Sequence, residues 1–235
     1  MIRLIVAATL VAAAGPVWVG RFTADGTAPA PWRVVRVGKA APTSYRVATV
    51  ASVRAVEARA DAAMALLARP LSVDLAATPI LCWRWYVDAP VASADMRSRA
   101  GDDYAARVYV SFDIPDNAMS LGTRLRIAVG RRMFGAAVPD AALNYVWDNR
   151  QAVGSRRRSA YTDRVEMIVA ETGATRARQW VSERADVGAD FARAFGNRGR
   201  VIQLAVASDT DNTRSRARAA FADLHFVARS ERCAA

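Results

Sequence analysis

The sequence predicts an all-β protein: an antiparallel β-sandwich of jelly-roll type, akin to galactose-binding domains, with few short helices. Three observations lead there. Short apolar runs alternate with polar residues at a period of two, as half-buried strands require. Clusters of Gly, Pro, Asn, Asp and Ser separate these runs at short intervals. Strand follows strand, without the regular helical stretches that a parallel α/β sheet needs between its strands.

The elements follow in order along the chain. Met1 to Ala14 is set apart as a signal peptide. Arg3 supplies a positive start, Leu4 to Val11 an apolar run too short to span a bilayer, and Ala12-Ala13-Ala14 a cleavage site. Residues 15–235 are expected to form one domain. Trp32 to Val37 and Ser44 to Val53 read as strands. Val56 to Ala68 is ambiguous: its alanines favour helix by propensity, while an all-β layout favours strand, loop and short helix. Leu81 to Val87 puts Trp83 and Trp85 on one face, Arg84 and Tyr86 on the other. Pro90 to Asp102 reads as a long loop. Arg107 to Asp113 alternates cleanly, with Val108, Val110 and Phe112 facing one way and Arg107, Tyr109, Ser111 and Asp113 the other. Residues 121–129 suit a short helix or strand. Leu143 to Trp147 and Arg164 to Ala170 read as strands around a basic loop, Arg150 to Tyr161. Gln179 to Ser182 suits a strand and Val187 to Phe195 a short helix or turn. Val201 to Ala207 and Ala220 to Ala228 close the set.

Composition narrows the function classes. Apolar residues are 53% of the chain and the mean hydropathy is +0.05, which argues against wholesale disorder. The formal net charge is +11, and arginine carries nearly all of it, since Lys39 is the single lysine. That excess points to an anionic partner or to biased composition. The arginine clusters at 124–132, 156–158 and 214–218 have no interleaved aromatics, so no nucleic-acid partner is expected. No stretch is long and apolar enough to predict a transmembrane span, and a monomer is expected. An oxidising compartment would permit a bridge between Cys82 and Cys233, but Cys82 lies in an apolar strand and Cys233 in a polar tail, which favours two unpaired thiols. With one histidine, His225, they exclude a structural zinc site. No dinucleotide or phosphate-loop motif is present. His225 has no recognisable nucleophile elbow beside it and reads as structural.

The candidate site rests on three groups of residues. Asp102 and Asp103 stand at the mouth of the strand that begins near Arg107, where they can pair with arginine or hold a hard cation. Asp209, Asp211 and Asn212 form a second oxygen-rich loop. It lacks the central glycine and terminal glutamate of an EF-hand, but calcium remains a possible ligand and no other cofactor is expected. Arg84, Tyr86, Tyr109, Asn144 and Tyr145 form the third group, a mixed aromatic and polar set suited to a sugar if their strands share a face. A solvated turn and an ordinary core explain the same residues without a ligand. Glycoside hydrolysis would need two carboxyls across a cleft, with Asp102, Asp103, Asp113, Asp190, Asp209 and Asp223 as candidates by type alone.

A set of segments in order along the chain also resembles the bacterial family DUF3047. It comprises Cys82-Trp83-Arg84-Trp85, Gly101 to Phe112, Leu143 to Trp147, Trp180, Asp190-Phe191 with Phe195-Gly196, Ser208 to Thr213 and Phe221 to Phe226. Asp190-Phe191 departs from the Asp-Tyr that the family often carries. The resemblance implies a secreted or periplasmic protein and carries no catalytic assignment. Three function classes follow: a periplasmic or secreted module binding an anionic or neutral glycan, a structural envelope protein with no ligand, and a carbohydrate-active enzyme.

Overall fold

The computed structural model describes residues 15–134, 138–196 and 198–234. The expected signal segment, 1–14, lies outside them. Two sheets pack face to face. The first contains β1 (Val17–Gly20), β3 (Ser44–Val50), β4 (Val53–Asp61), β6 (Ile80–Val87), β11 (Val181–Asp186) and β13 (Arg216–Val227). Its order is β11-β6-β13-β4-β3, with β1 also paired to β13. The second contains β2 (Arg33–Arg36), β5 (Ala65–Pro70), β7 (Tyr104–Asp113), β8 (Ala141–Asp148), β9 (Arg156–Arg158), β10 (Val165–Thr172) and β12 (Arg200–Asp209). Its order is β2-β5-β12-β7-β8-β10-β9. Pairing is antiparallel throughout except between β8 and β10, which run parallel. Two α-helices, α1 (Leu121–Phe134) and α2 (Val187–Phe195), and two single 3-10 turns, Arg99–Gly101 and Asp116–Ala118, complete the described elements. The protein is a β-sandwich, and α1 extends beyond the short element expected at 121–129.

The core between the sheets is built by the period-two faces. Trp83 and Trp85 point inward and meet edge to face at 5.4 Å; Tyr145 and Trp147 from β8 approach them at 5.4 and 5.7 Å. Each such aromatic pair adds about 0.5–1.5 kcal/mol beyond its area burial. Val108, Val110 and Phe112 enter the same core, as their alternation predicts. Phe191 of α2 stacks on Phe112 at 4.0 Å, which anchors the helix against the sandwich.

Three local outcomes depart from the sequence reading. The ambiguous stretch from Val56 to Ala68 is strand, turn, strand, with Ala62 at φ 45 in the turn. Its alanines favour helix intrinsically, but Val56, Ala58 and Ala60 alternate with Glu57, Arg59 and Asp61, and burial of that small-residue face overrides propensity. A strand at Val17–Gly20 pairs with β13 where no strand was expected. Finally, Cys82 and Cys233 form a disulfide, contrary to the expectation of free thiols. Cys82 shares the outer face of the first sheet with Arg84, away from the tryptophans. The tail beyond β13 turns at Ala228, whose carbonyl accepts from the Glu231 N–H, and returns Cys233 to the strand. His225 has both ring nitrogens hydrogen-bonded. Its Nδ1 donates to the Asp223 carbonyl at 2.6 Å and Nε2 accepts from the Ala234 N–H at 3.0 Å. Trp18 stacks on its ring at 4.4 Å.

Candidate functional site

β7 and β12 are neighbours, in a register that sets Tyr104 opposite Asp209 and Arg107 opposite Ala207. This brings the two acidic segments of the sequence to one end of the second sheet, on its outer face. Arg107 is only 2% exposed. Its guanidinium forks onto Asp209, with Nε donating to Oδ1 at 2.9 Å and Nη2 lying 2.7 Å from Oδ2. The same Nη2 donates to the Asp102 carbonyl and to Asp102 Oδ1 at 3.1 Å. Tyr104 places its ring 4.4 Å from the guanidinium, and its backbone N–H donates to Asp209 at 2.8 Å. A buried charge needs its hydrogen bonds filled, and this arginine is surrounded by acceptors.

Asp103 ties the second loop to the first. It is buried and accepts from the Asn212 N–H at 3.2 Å, Asn212 Nδ2 at 3.1 Å, the Thr213 N–H at 2.6 Å and the Thr213 hydroxyl. The turn preceding it needs Gly101. A Cβ there would stand 2.7 Å from the Asp95 backbone nitrogen, which itself donates to the Gly101 carbonyl at 2.7 Å. An alanine at 101 would push this turn away from Asp95 and shift Asp102 and Asp103 with it.

Two carboxylates thus meet one guanidinium, and those of Asp103 and Asp211 stand beyond them. Burial pushes the Asp209 carboxyl up, against the pull of Arg107, and the Asp102 and Asp103 charges add to the rise, to about 7. Burial would lower Arg107, but the same carboxylates outweigh it and hold the guanidinium firmly protonated. Burial and then Asp103 raise Asp211. Asp103, Asp209 and Asp211 each offer an oxygen within 4.8 Å of the others, a spacing open to a hard cation. However, Asp103 already accepts four hydrogen bonds and Asp209 is held by Arg107. The positive charge at the centre is supplied by the arginine.

The rim of this network is aromatic. Tyr161, in the turn between β9 and β10, is 49% exposed. Its hydroxyl donates to Asn212 Oδ1 at 2.6 Å, with the Arg99 carbonyl at 3.3 Å. The Arg99 guanidinium lies 5.2 Å from the ring centroid, and its Nε donates to the Ala160 carbonyl at 3.0 Å. The ring is therefore fixed at both ends while much of it meets solvent. Asp211 stands close enough to raise the Tyr161 hydroxyl, after burial and Asp102. Neither Tyr161 nor Arg99 was singled out from sequence. The only available signal was a tyrosine ending a long basic loop.

The structure brings together Asp102, Asp103, Arg107, Asp209, Asp211 and Asn212. Tyr109 and Asn144 lie on the same outer face, directly paired across β7 and β8. Asn144 is buried there and its Oδ1 has no hydrogen-bond partner among the described residues. The other three candidates lie elsewhere. Tyr145 follows Asn144 in the strand, so it points into the core, where its hydroxyl donates to Asp190 at 2.8 Å. Arg84 and Tyr86 belong to the other sheet, because the chain crosses over between β6 and β7. Arg84 donates from Nε to Asp223 at 2.6 Å, and Tyr86 packs on Trp180 at 5.8 Å. A single sugar face running from Arg84 to Tyr109 is therefore ruled out by topology.

Comparisons with known proteins follow from this fold. A search of curated proteins finds no match to the chain. Among solved structures, the chain is similar to a thermostable cellulase derived from the Cel12A cellulase of Rhodothermus marinus. The identity is 12% and the TM-score 0.40, over 89% of this chain and 98% of that one. It is also similar to endoglucanase 3 of Trichoderma harzianum, from family GH12, at 7% identity and a TM-score of 0.34, over 83% and 98% of the two chains. In sequence, residues 30–225 match DUF3047, described as a protein of unknown function. That match takes in the node around Arg107, the Asp209 loop and Tyr161, and the chain belongs to the DUF3047 family.

Proposed function

We propose that this is an exported glycan-binding protein whose ligand lies across Tyr161 and the loop of Asp211 and Asn212. One observation carries the reading: a half-exposed tyrosine ring, held flat by Asn212 and Arg99, beside a carboxylate that accepts from no other side chain among the described residues. A sugar offers an apolar C–H face to such a ring and hydroxyl donors to such a carboxylate. The acidic surroundings favour a neutral glycan at this position, because Asp102, Asp103 and Asp211 would repel an acidic one. Asp209 is buried and its carboxylate is taken up by Arg107, which favours binding over hydrolysis. Export is supported by the apolar N-terminal run and by the Cys82–Cys233 disulfide, since disulfides persist in oxidising compartments.

Calorimetric titration with neutral and uronate-containing polysaccharides tests the site. Tyr161→Ala is expected to weaken binding of the neutral ligand about tenfold, the equivalent of one lost stacking contact. Asp211→Asn should weaken it less. Affinity untouched by Tyr161→Ala would remove this site from consideration.

A further inference from the structure

The opposite face of the sandwich carries an inverted arrangement. On the first sheet, β4 lies between β3 and β13, and Glu57 sits on the outer face at 1% exposure. Three arginines converge on it. Arg46 Nε donates to Oε2 at 2.6 Å, Arg59 Nη2 to Oε1 at 3.0 Å and Arg218 Nε to Oε1 at 2.6 Å. Arg59 and Arg218 stand directly opposite each other across the strand pair. Like charges in that position destabilise a sheet, and the glutamate two residues away offsets their repulsion. Arg218 also pairs with Asp88 at 3.0 Å, and Arg216 with Asp61 at 2.9 Å. Arg46 and Arg59 have no acidic partner besides Glu57 among the described residues, so the set around Glu57 keeps an excess positive charge.

That excess faces open space. A groove of about 680 Å³ opens beside it, lined by Arg59, Arg216 and Arg218 together with Ser44 and the carboxylates Asp61 and Asp88, which are the ion-pair partners of Arg216 and Arg218. The guanidinium of Arg59 spends one nitrogen on Glu57; its other N–H groups have no partner among the described residues. Glu57 aims the forks, and a planar guanidinium held in place loses little freedom when it takes a second acceptor. We propose that this groove is an oxyanion site, built to take a phosphate, sulfate or carboxylate group between Arg59 and Arg218, with Glu57 as the positioning residue. It is independent of Tyr161 and lies on the other sheet.

The test is an NMR titration of the arginine Nε–H resonances with sodium phosphate and with sodium glucuronate. Sodium chloride at matched ionic strength is the control. Saturable shifts at Arg59 and Arg218, produced by either oxyanion and not by chloride, are expected, and their absence with both would overturn the proposal. Arg59→Gln should weaken binding at least about fivefold, whereas Arg132→Gln, the same charge change on the exposed face of α1, should leave it nearly unchanged. Equal losses would mean a diffuse field and no site. Glu57→Gln discriminates further. It adds positive charge but frees the forks, so weaker binding supports the positioning role and tighter binding refutes it. If that variant does not fold, Arg46→Gln replaces it, with weaker binding expected and unchanged binding counting against the proposal. Tyr161→Ala should not alter any of these shifts, which separates this site from the glycan reading.

Discussion

The outer faces of the two sheets solve opposite electrostatic problems with the same device. On the second sheet one arginine, Arg107, is enclosed by the carboxylates of Asp102 and Asp209, with Asp103 and Asp211 beyond them. On the first sheet one glutamate, Glu57, is enclosed by Arg46, Arg59 and Arg218. In each case the lone charge is buried and the surplus of the other sign lies outward. The central residue is what permits several like charges to share a few ångströms of surface. The difference lies in exposure. The partners of Arg107 are themselves largely buried, whereas those of Glu57 keep their guanidiniums partly in water. The acidic node is therefore architectural at its centre and open only at its Asp211 rim, whereas the arginines of the basic one themselves reach solvent.

Removing the centre of the acidic node should have the largest effect. Arg107→Met leaves buried carboxylates without their cation, and is expected to destabilise the fold by about 3–5 kcal/mol in urea unfolding at neutral pH. A loss as small as that of a surface ion pair, below about 1 kcal/mol, would show that burial has not made this node structural.

A titration sharpens the contrast by asking what arginine does to a buried acid. Burial pushes Glu57 up, but hydrogen bonds from Arg59, Arg46 and Arg218 outweigh it and hold the carboxyl down at about 2. Its contribution to stability is complete above its ordinary value of 4.5 and is lost as pH falls through about 2. Among the described residues, the Trp85 Nε1, at 3.2 Å, is the single side-chain donor to Glu183 of β11. Burial, and then the Glu171 charge, push it up to about 7. Its contribution is complete below its ordinary value of 4.5 and is lost as pH rises through about 7. Urea unfolding from pH 3 to pH 8 should therefore show opposite trends. The deficit of Glu57→Gln relative to the parent should shrink toward acid, and Glu183→Gln should gain on the parent toward alkali. Parallel curves for both variants would mean that their environments do not differ as described.

Calcium should have the smallest effect. Arg107 supplies the central positive charge, and Asp103 already has its acceptors filled by Asn212 and Thr213. Melting in calcium and in chelator is expected to coincide. A rise with calcium, by mass action on the folded state, would mean that Asp103, Asp209 and Asp211 recruit a cation despite the arginine.

Much of the strand content could be read from the chain. The alternation in Arg107 to Asp113 correctly separates Val108, Val110 and Phe112 from the polar side, and Val187 to Phe195 is a helix, one of the two forms its pattern allows. What period two cannot convey is which strands are neighbours. Tyr86 and Tyr109 sit on comparable polar faces of consecutive strands, yet those strands belong to different sheets. Arg107 and Asp209 are 102 residues apart and meet only through the pairing of β7 with β12. The two acidic segments were visible as candidates because their composition is unusual. Glu57 and its arginines were not, because a charge every second residue is what any solvated strand face shows. Tyr161 was missed for a similar reason: exposure of one loop tyrosine has no sequence signature.

The disulfide bears on how the chain responds to a cut. Cys82 and Cys233 are 151 residues apart, so the bridge closes a loop around β7 to β13 and both helices. The exposed apolar side chains of Leu121, Leu125 and Val129 on α1 lie within that loop. A protease that nicks the chain there produces two fragments that cannot separate, because each keeps one end of the bridge. Such a nick would appear on a denaturing gel only after reduction, and the clipped protein would still hold Arg107 against Asp209 with no continuous chain between them.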